Sequence, residues 1–178
     1  MPDSILIIFG GIMAIAKRDE YERELVQIIS NKHNKLYGQR GTHSDGIDVL
    51  FFIGTDQLNL TYSIRCEVKT AISVVRYFNK KLQEQYENYL KTLRGYKVMT
   101  FYCFRTLSKK KKLEKKNRKG EIVSSIDLRE GKPEDKWRIF RVDEVPLNNR
   151  GTPYLDFFHE DGKTIDQFLE LFKVFLDR

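Results

Sequence analysis

The sequence predicts an α/β fold in which helices flank a mixed β-sheet, and two kinds of pattern support this prediction. Apolar residues recur at helical spacing over residues 19–32, 76–93 and 164–176. Short apolar or alternating runs separate these segments and are typical of strands. Because helices and strands are interspersed along the chain, the helices are expected to cover the faces of one sheet.

The chain opens with an apolar run and an amphipathic helix. Residues 5–16 are apolar but interrupted by two glycines, and the run is too short to cross a bilayer. It is interpreted as a buried or partner-facing strand. The helix over 19–32 places its apolar residues on one side, and these are Tyr21, Leu25, Val26, Ile28 and Ile29.

A polar, glycine-bearing loop leads from this helix into two strands. Residues 47–53 form an apolar run typical of a central strand, with Asp48 near its start. Residues 60–68 alternate strictly, so apolar side chains point to one face, while the polar ones, including Glu67, point to the other. Lys69 continues the polar face.

The rest of the chain completes the predicted sheet and its helical cover. The expected elements are a helix over 76–93 ended by Gly95, strands over 96–104, 121–128 and 136–142, and a closing amphipathic helix over 164–176.

Composition is that of a globular protein from a reducing compartment. The 178 residues are 40% hydrophobic and 32% charged, and a chain of this length can bury one core as a single domain. Its two cysteines, Cys66 and Cys103, form no CxxC pair, so neither a disulfide framework nor a zinc site is supported. We expect an intracellular protein with no membrane association.

Positive charge is concentrated in one segment. Residues 109–119 contain eight basic residues and one glutamate, an excess equal to the +7 net charge of the chain. Such a run is typical of a solvated, mobile loop, and it is equally suited to contact DNA phosphates. The two interpretations are compatible.

Four residues form a pattern suited to phosphodiester hydrolysis. Glu22 lies on the first helix, Asp48 precedes the apolar strand, and Glu67, nineteen residues after Asp48, shares a strand face with Lys69. Carboxylate oxygens bind hard divalent cations, which activate water and neutralise charge on the phosphate. Asp48, Glu67 and Glu22 are therefore candidate ligands. The lysine is suited to hold the attacking water or to stabilise the transition state.

Alternatives remain open for these assignments. Glu24 competes with Glu22, but Glu22 lies nearer the apolar centre of the helical wheel. Asp45 competes with Asp48, but it belongs to a Ser-Asp-Gly turn in which aspartate commonly bonds its own backbone. A Glu-x-Lys pair by itself is equally consistent with an ordinary charge pair on an exposed strand edge. The order of the elements around the pair favours the nuclease interpretation.

Four short stretches carry a resemblance to a known family. They are YERELV at 21–26, IDVLFF at 47–52, IRCEVKT at 64–70 and WRIFRV at 137–142. Together they resemble archaeal Holliday-junction resolvases of the PD-(D/E)xK nuclease superfamily, over about residues 17–145. Matched one by one, the Mg²⁺ site of that family falls on Glu22, Asp48, Glu67 and Lys69.

The resemblance implies an α/β restriction-endonuclease-like core and Mg²⁺ as cofactor, with Mn²⁺ able to substitute. It implies a single nuclease domain over 1–178, with a core at about 17–145, a basic insertion at 108–120 and a C-terminal helical extension at 146–178. Gln85 is a possible accessory residue, with Gln83 as competitor. The residues expected to contact DNA are Arg40, His43, Ser44, Arg65, Lys109, Lys110, Lys111 and Lys112.

The function implied is that of a metal-dependent endodeoxyribonuclease acting on branched DNA, as a Holliday-junction resolvase does. Paired cuts in a four-way junction require two sites related by a two-fold axis, so a homodimer is expected. The apolar N-terminal run and the C-terminal helix are both candidate dimer surfaces. One alternative is a nuclease of the same fold acting on DNA ends, flaps or single strands. The other is a basic DNA-binding protein without catalysis.

Overall fold

A five-stranded mixed sheet lies at the centre of the computed structural model, which describes residues 19–33, 35–41, 47–54, 61–96, 99–128 and 131–173. Its strand order is β1-β2-β3-β5-β8. The strands are β1 (Leu36–Arg40), β2 (Val49–Gly54), β3 (Thr61–Ala71), β5 (Thr100–Thr106) and β8 (Trp137–Arg141). Only β3 and β5 pair in parallel among these described strands, while the other neighbours are antiparallel. The predicted mixed sheet is confirmed.

Helices cover both faces of this sheet. Helix α1 (19–32) and helix α3 (Ile165–Glu170) lie on one face, where Leu25 and Phe168 pack against the apolar side chains of β2, β3 and β5. Helix α2 (Lys80–Tyr96) lies on the other face, where its Tyr86 packs with Tyr102 of β5. The two sides are called the α1 side and the α2 side below.

Strand β3 is central, and this position fixes the environment of its polar residues. It pairs with β2 on one flank and with β5 on the other. Cys66 and Val68 point into the α1-side core, and alternation directs Glu67 and Lys69 to the α2 side. Both polar residues are buried. An exposed-edge explanation of this pair is therefore wrong.

Two small sheets flank the α2 side. Strands β4 (Val75–Tyr77) and β9 (Tyr154–Asp156) pair antiparallel, and β6 (Lys112–Lys116) and β7 (Ile122–Asp127) form a hairpin. Buried Leu113 anchors the hairpin in the α2-side core. The basic segment is therefore an ordered β-hairpin, and its interpretation as a mobile loop is wrong.

Several predicted boundaries differ from the observed ones. Residues 36–40, predicted as loop, form the edge strand β1 because they pair with β2, and Gly38 leaves room for the side chains of Phe51 and Val26 against its backbone. Residues 75–77 pair with β9 instead of starting the second helix, and the Asn79 side chain caps that helix by accepting from the amide of Leu82 at 3.0 Å. Gly95 lies within the helix, and β5 begins only at Thr100.

The closing helix is shorter than predicted. It spans Ile165–Glu170 and begins at a capping box between Thr164 and Gln167. Residues 174–178 and the apolar run at 5–16 lie outside the described residues. No helix in the described part of the chain is long and apolar enough to span a membrane.

Candidate active site

Asp48 and Glu67 are brought together by the register of β2 and β3. Val49 pairs with Cys66, so continuing this antiparallel register by one residue sets Asp48 opposite Glu67. The Oδ2 of Asp48 accepts a hydrogen bond from the backbone amide of Val68 at 2.7 Å, which fixes the carboxylate against β3. Only 5% of Asp48 and 3% of Glu67 are exposed.

Lys69 and helix α2 complete the surroundings of Glu67. Lys69, 9% exposed, donates to Oε1 of Glu67 from two residues further along β3. From α2, the hydroxyl of Tyr89 donates to Oε2 of Glu67 at 3.0 Å, and Nε2 of Gln85 donates to the same hydroxyl at 3.1 Å. The competing candidate Gln83 instead donates to the backbone carbonyl of Phe78. The glutamine that lies beside Glu67 is therefore Gln85 and not Gln83.

Burial and neighbouring charges perturb the ionisation of Glu67 and Tyr89. Burial raises the pKa of Glu67 above its usual value, Lys69 opposes this shift, and the negative charge of Asp48 adds to it. Burial and the nearby Glu67 raise the pKa of Tyr89, so its hydroxyl stays protonated and acts as a donor. Two desolvated carboxylates and a lysine are costly to place together, and such clusters are typical of functional sites.

The residues present fit a magnesium ion that keeps most of its water. Mg²⁺ is commonly held by one or two carboxylates plus water and substrate oxygens, and Asp48 and Glu67 supply two. The buried Tyr102 hydroxyl and Oε1 of Gln85 have no hydrogen-bond partner within the described residues. Tyr102 is the β5 partner of Glu67, and Gln85 is bonded to Tyr89, so both unpaired atoms belong to residues that surround Glu67. Water held by a cation at this site would supply hydrogen-bond partners of the kind they lack.

Glu22 lies on helix α1 and is held by Arg40. The Nε of Arg40 donates to Oε2 of Glu22 at 3.0 Å, and Arg40 also pairs with Asp19. The described residues contain no group of three or more acidic, histidine or cysteine side chains placed to hold a metal. The structure therefore places Asp48 and Glu67 together without Glu22, and the role of Glu22 as a ligand stays a prediction.

The other predicted DNA contacts are dispersed. Arg40 stands at the end of β1 beside Val49, and Arg65 lies on β3 near the site. Lys109, Lys110, Lys111 and Lys112 are exposed where β5 continues into the hairpin. His43 and Ser44 lie outside the described residues, as does Asp45.

Sequence reasoning missed the role of Glu24 and the contribution of Tyr89. Glu24 accepts hydrogen bonds from both Nε and Nη2 of Arg105, each at 2.9 Å. It also accepts one from the indole N–H of Trp137 at 2.9 Å. The Arg105 guanidinium also lies 4.3 Å from the ring centre of Tyr21. This network joins α1 to β5 and β8. The sequence signal for Tyr89 was its spacing from Gln85. The two residues are four apart, so they lie on the same face of a helix.

Comparison with known proteins finds similarity among solved structures. No protein-family model and no curated protein matches the chain. Among solved structures, it is similar to Hjc of Archaeoglobus fulgidus, a Holliday junction resolvase from an archaeal hyperthermophile. The TM-score is 0.47 and the identity 14%, over 79% of this chain and 84% of that one. At this similarity, function has to be inferred from the residues of this chain.

Proposed function

We propose that the chain is a Mg²⁺-dependent endodeoxyribonuclease that acts on branched DNA. The observation that carries the proposal is the buried trio of Asp48, which directly precedes β2, and of Glu67 and Lys69 on β3. Asp48 lies opposite Glu67 and adds to the rise of its pKa, and two buried carboxylates beside a lysine favour a divalent cation as the ligand of this site.

Each residue of the site has a separate role in the proposed reaction. A bound Mg²⁺ would supply an activated water and neutralise charge on the scissile phosphate, with Asp48 and Glu67 holding it and Mn²⁺ able to replace it. Lys69 is paired with Glu67 in the structure. With Glu67 holding a cation, the Lys69 ammonium would be placed to face the phosphate, where its charge would stabilise the transition state. Tyr89 keeps the Glu67 carboxylate oriented throughout.

A lysine groove beside the site supports DNA as the substrate. This groove, of about 1190 Å³, lies where β3 and β5 end and the hairpin begins, and its cationic side chains are Lys109, Lys110, Lys112 and Lys116. Ile72, also in its lining, follows Lys69 by three residues, or about 10 Å of strand. A DNA strand cut near Lys69 would therefore have its neighbouring phosphates within reach of these lysines.

Action on junctions requires a homodimer, which we include in the proposal. In the described residues, α3 turns Ile165 and Phe168 into the core of its own chain, so its apolar face is already covered. The run at 5–16 remains the candidate surface among the two considered. Cleavage of ends, flaps or single strands by the same residues is the alternative substrate assignment.

The test incubates wild type and Glu67→Gln with labelled four-way junction, matched duplex and single strand, with Mg²⁺ or with chelator. Symmetric cuts in the junction that need both Mg²⁺ and Glu67 would support the proposal. Metal-dependent cutting of ends or single strands alone would keep the nuclease and discard the junction. DNA binding with no cleavage of any substrate would overturn the enzyme assignment.

A further inference from the structure

A second cleft lies between the hairpin and the β4–β9 sheet, and its chemistry differs from that of the lysine groove. Its volume is about 630 Å³, and Tyr77, Tyr154, Arg118, Arg150 and Asn149 contribute to its lining. We call it the tyrosine cleft. Neither the proposed cation site nor the lysine groove includes any of these residues.

The aromatic wall of the tyrosine cleft is open to solvent. Tyr77 and Tyr154 are direct partners across β4 and β9, with ring centres 5.6 Å apart and planes tilted by 36°. Tyr77 is 64% exposed, although a large aromatic ring gains most when it is covered. An exposed ring supported from behind by a second one is a surface on which a planar group can stack.

The rim of the cleft is cationic. Neither Arg118 nor Arg150 forms an ion pair within the described residues, whereas Lys115 is paired with the buried carboxylate of Asp156 at the base. The two free guanidiniums therefore leave the cleft positively charged. A ligand that combines a planar ring with negative charge fits both features.

The loop that carries Arg150 is held by hydrogen bonds within its own turn. The Asn148 side chain accepts from the amides of Arg150 and Thr152, at 2.9 and 3.0 Å. Gly151, with φ +73°, closes the turn by donating to the carbonyl of Asn148. The neighbouring Asn149 is exposed, and no hydrogen bond in the described part of the chain engages its amide. Its donor and acceptor are available to a ligand.

We propose that the tyrosine cleft binds one unpaired nucleotide of a DNA strand. The base stacks on Tyr77, Arg118 and Arg150 contact the flanking phosphates, and the Asn149 amide meets the base edge. A paired base has both faces covered by its neighbours in the duplex, so only an unstacked one can enter. The inference deepens the proposed action on branched DNA and rests on it, since branch points supply unpaired bases.

The segment that carries Tyr77 is anchored in the α2-side core. Phe78, directly after Tyr77, is buried and packs its ring 5.2 Å from that of Tyr102, which is the strand partner of Glu67.

The test measures binding by the full chain in chelator, so that no cleavage occurs. The probes are a single strand carrying one 2-aminopurine and a duplex of the same sequence. Tyr77→Ala should weaken single-strand binding between about 5-fold and 150-fold and relieve the fluorescence quenching caused by stacking. Duplex binding should change less than about twofold. Tyr77→Phe keeps the ring and should bind like wild type.

Tyr37→Ala is the matched control, because Tyr37 is 67% exposed but lies on β1. It should leave single-strand binding unchanged. Replacing Arg118 and Arg150 with Gln should lower the salt slope of single-strand binding by about 1.4. Equal effects of Tyr77→Ala and Tyr37→Ala, an equal loss of duplex binding, or tighter binding of free dAMP than of the strand would overturn the inference.

The two proposals fail separately. Unchanged single-strand binding in Tyr77→Ala, together with cleavage that needs Mg²⁺ and Glu67, would remove the cleft assignment and keep the nuclease. Weakened binding in Tyr77→Ala without cleavage by wild type would keep the nucleotide cleft and remove the nuclease.

Discussion

Each side of the central sheet places a glutamate beside a cation, but the two pairs have different surroundings. On the α1 side, Glu24 receives three hydrogen bonds from Arg105 and Trp137, which lie on strands far from it in sequence. On the α2 side, the Glu67–Lys69 ion pair joins residues two apart on one strand, and Glu67 also lies opposite a second buried carboxylate, Asp48. An ion pair between distant segments holds those segments together, whereas a buried local pair beside a second carboxylate is typical of a functional site.

The largest expected difference between the two sides is in catalysis. Glu67→Gln should lower the rate of Mg²⁺-dependent DNA cleavage by at least about 100-fold, since it removes a charged ligand of the proposed cation. Glu24→Gln should leave the rate per folded molecule within about twofold, because Glu24 touches no reacting group. Single-turnover cleavage of labelled DNA measures both. Comparable losses of cleavage rate in the two variants would contradict the assignment of catalysis to the α2 side.

Metal binding should likewise depend on the α2-side carboxylates and not on Glu24. Mg²⁺ at about 100 times its dissociation constant should stabilise the wild type by about 2.7 kcal/mol. Asp48→Asn should abolish this gain, while Glu24→Gln should retain it. Thermal unfolding with increasing Mg²⁺, or Mn²⁺, gives the comparison. A full stabilisation of Asp48→Asn by Mg²⁺ would place the cation elsewhere.

The free energy of unfolding should be more sensitive to substitutions of the α1-side pair than to substitutions at the proposed cation site. Glu24→Gln or Arg105→Met should lower the free energy of unfolding by about 1–3 kcal/mol, because each leaves a partly buried charge without its partner. The double variant should lose less than the sum of the single ones, since the two side chains act through one interaction. Urea denaturation provides all three values. Strict additivity would argue against the network.

Exposed cations on the two sides should also differ in DNA binding. Replacing Lys109, Lys110 and Lys116 of the lysine groove with Gln should reduce the salt slope of duplex binding by about 2.7. A control triple away from the groove replaces Arg23, Lys132 and Lys173, which are also exposed. Its slope should stay near that of wild type. If both triples lowered the slope alike, the groove would have no special role.

The smallest effect should come from Tyr89, which positions Glu67 without touching the phosphate. Tyr89→Phe removes the hydroxyl that donates to Glu67 and accepts from Gln85. Loss of the hydrogen bond to Glu67 should lower kcat between about 2-fold and 12-fold with KM for DNA unchanged. Tyr86→Phe, one turn away on the same helix, is the control and should have no effect. A loss confined to KM would assign Tyr89 to substrate binding.

The sequence by itself determined the parts of this protein that depend on local pattern. Alternation in β3 set Glu67 and Lys69 on one face, and the apolar run after Asp48 placed that carboxylate at the start of β2. Helical periodicity located α1 and the body of α2, because the 3.6-residue repeat is read within a single segment.

Tertiary structure decided everything that depends on which segments meet. Residues 36–40 and 75–77 are strands only because β2 and β9 offer them backbone partners, and the basic segment is a hairpin because Leu113 is buried in the α2-side core. No local pattern reveals such pairing. For the same reason, only the packed structure showed that Glu24 is bound by Arg105 and Trp137, and that α2 delivers Tyr89 to Glu67.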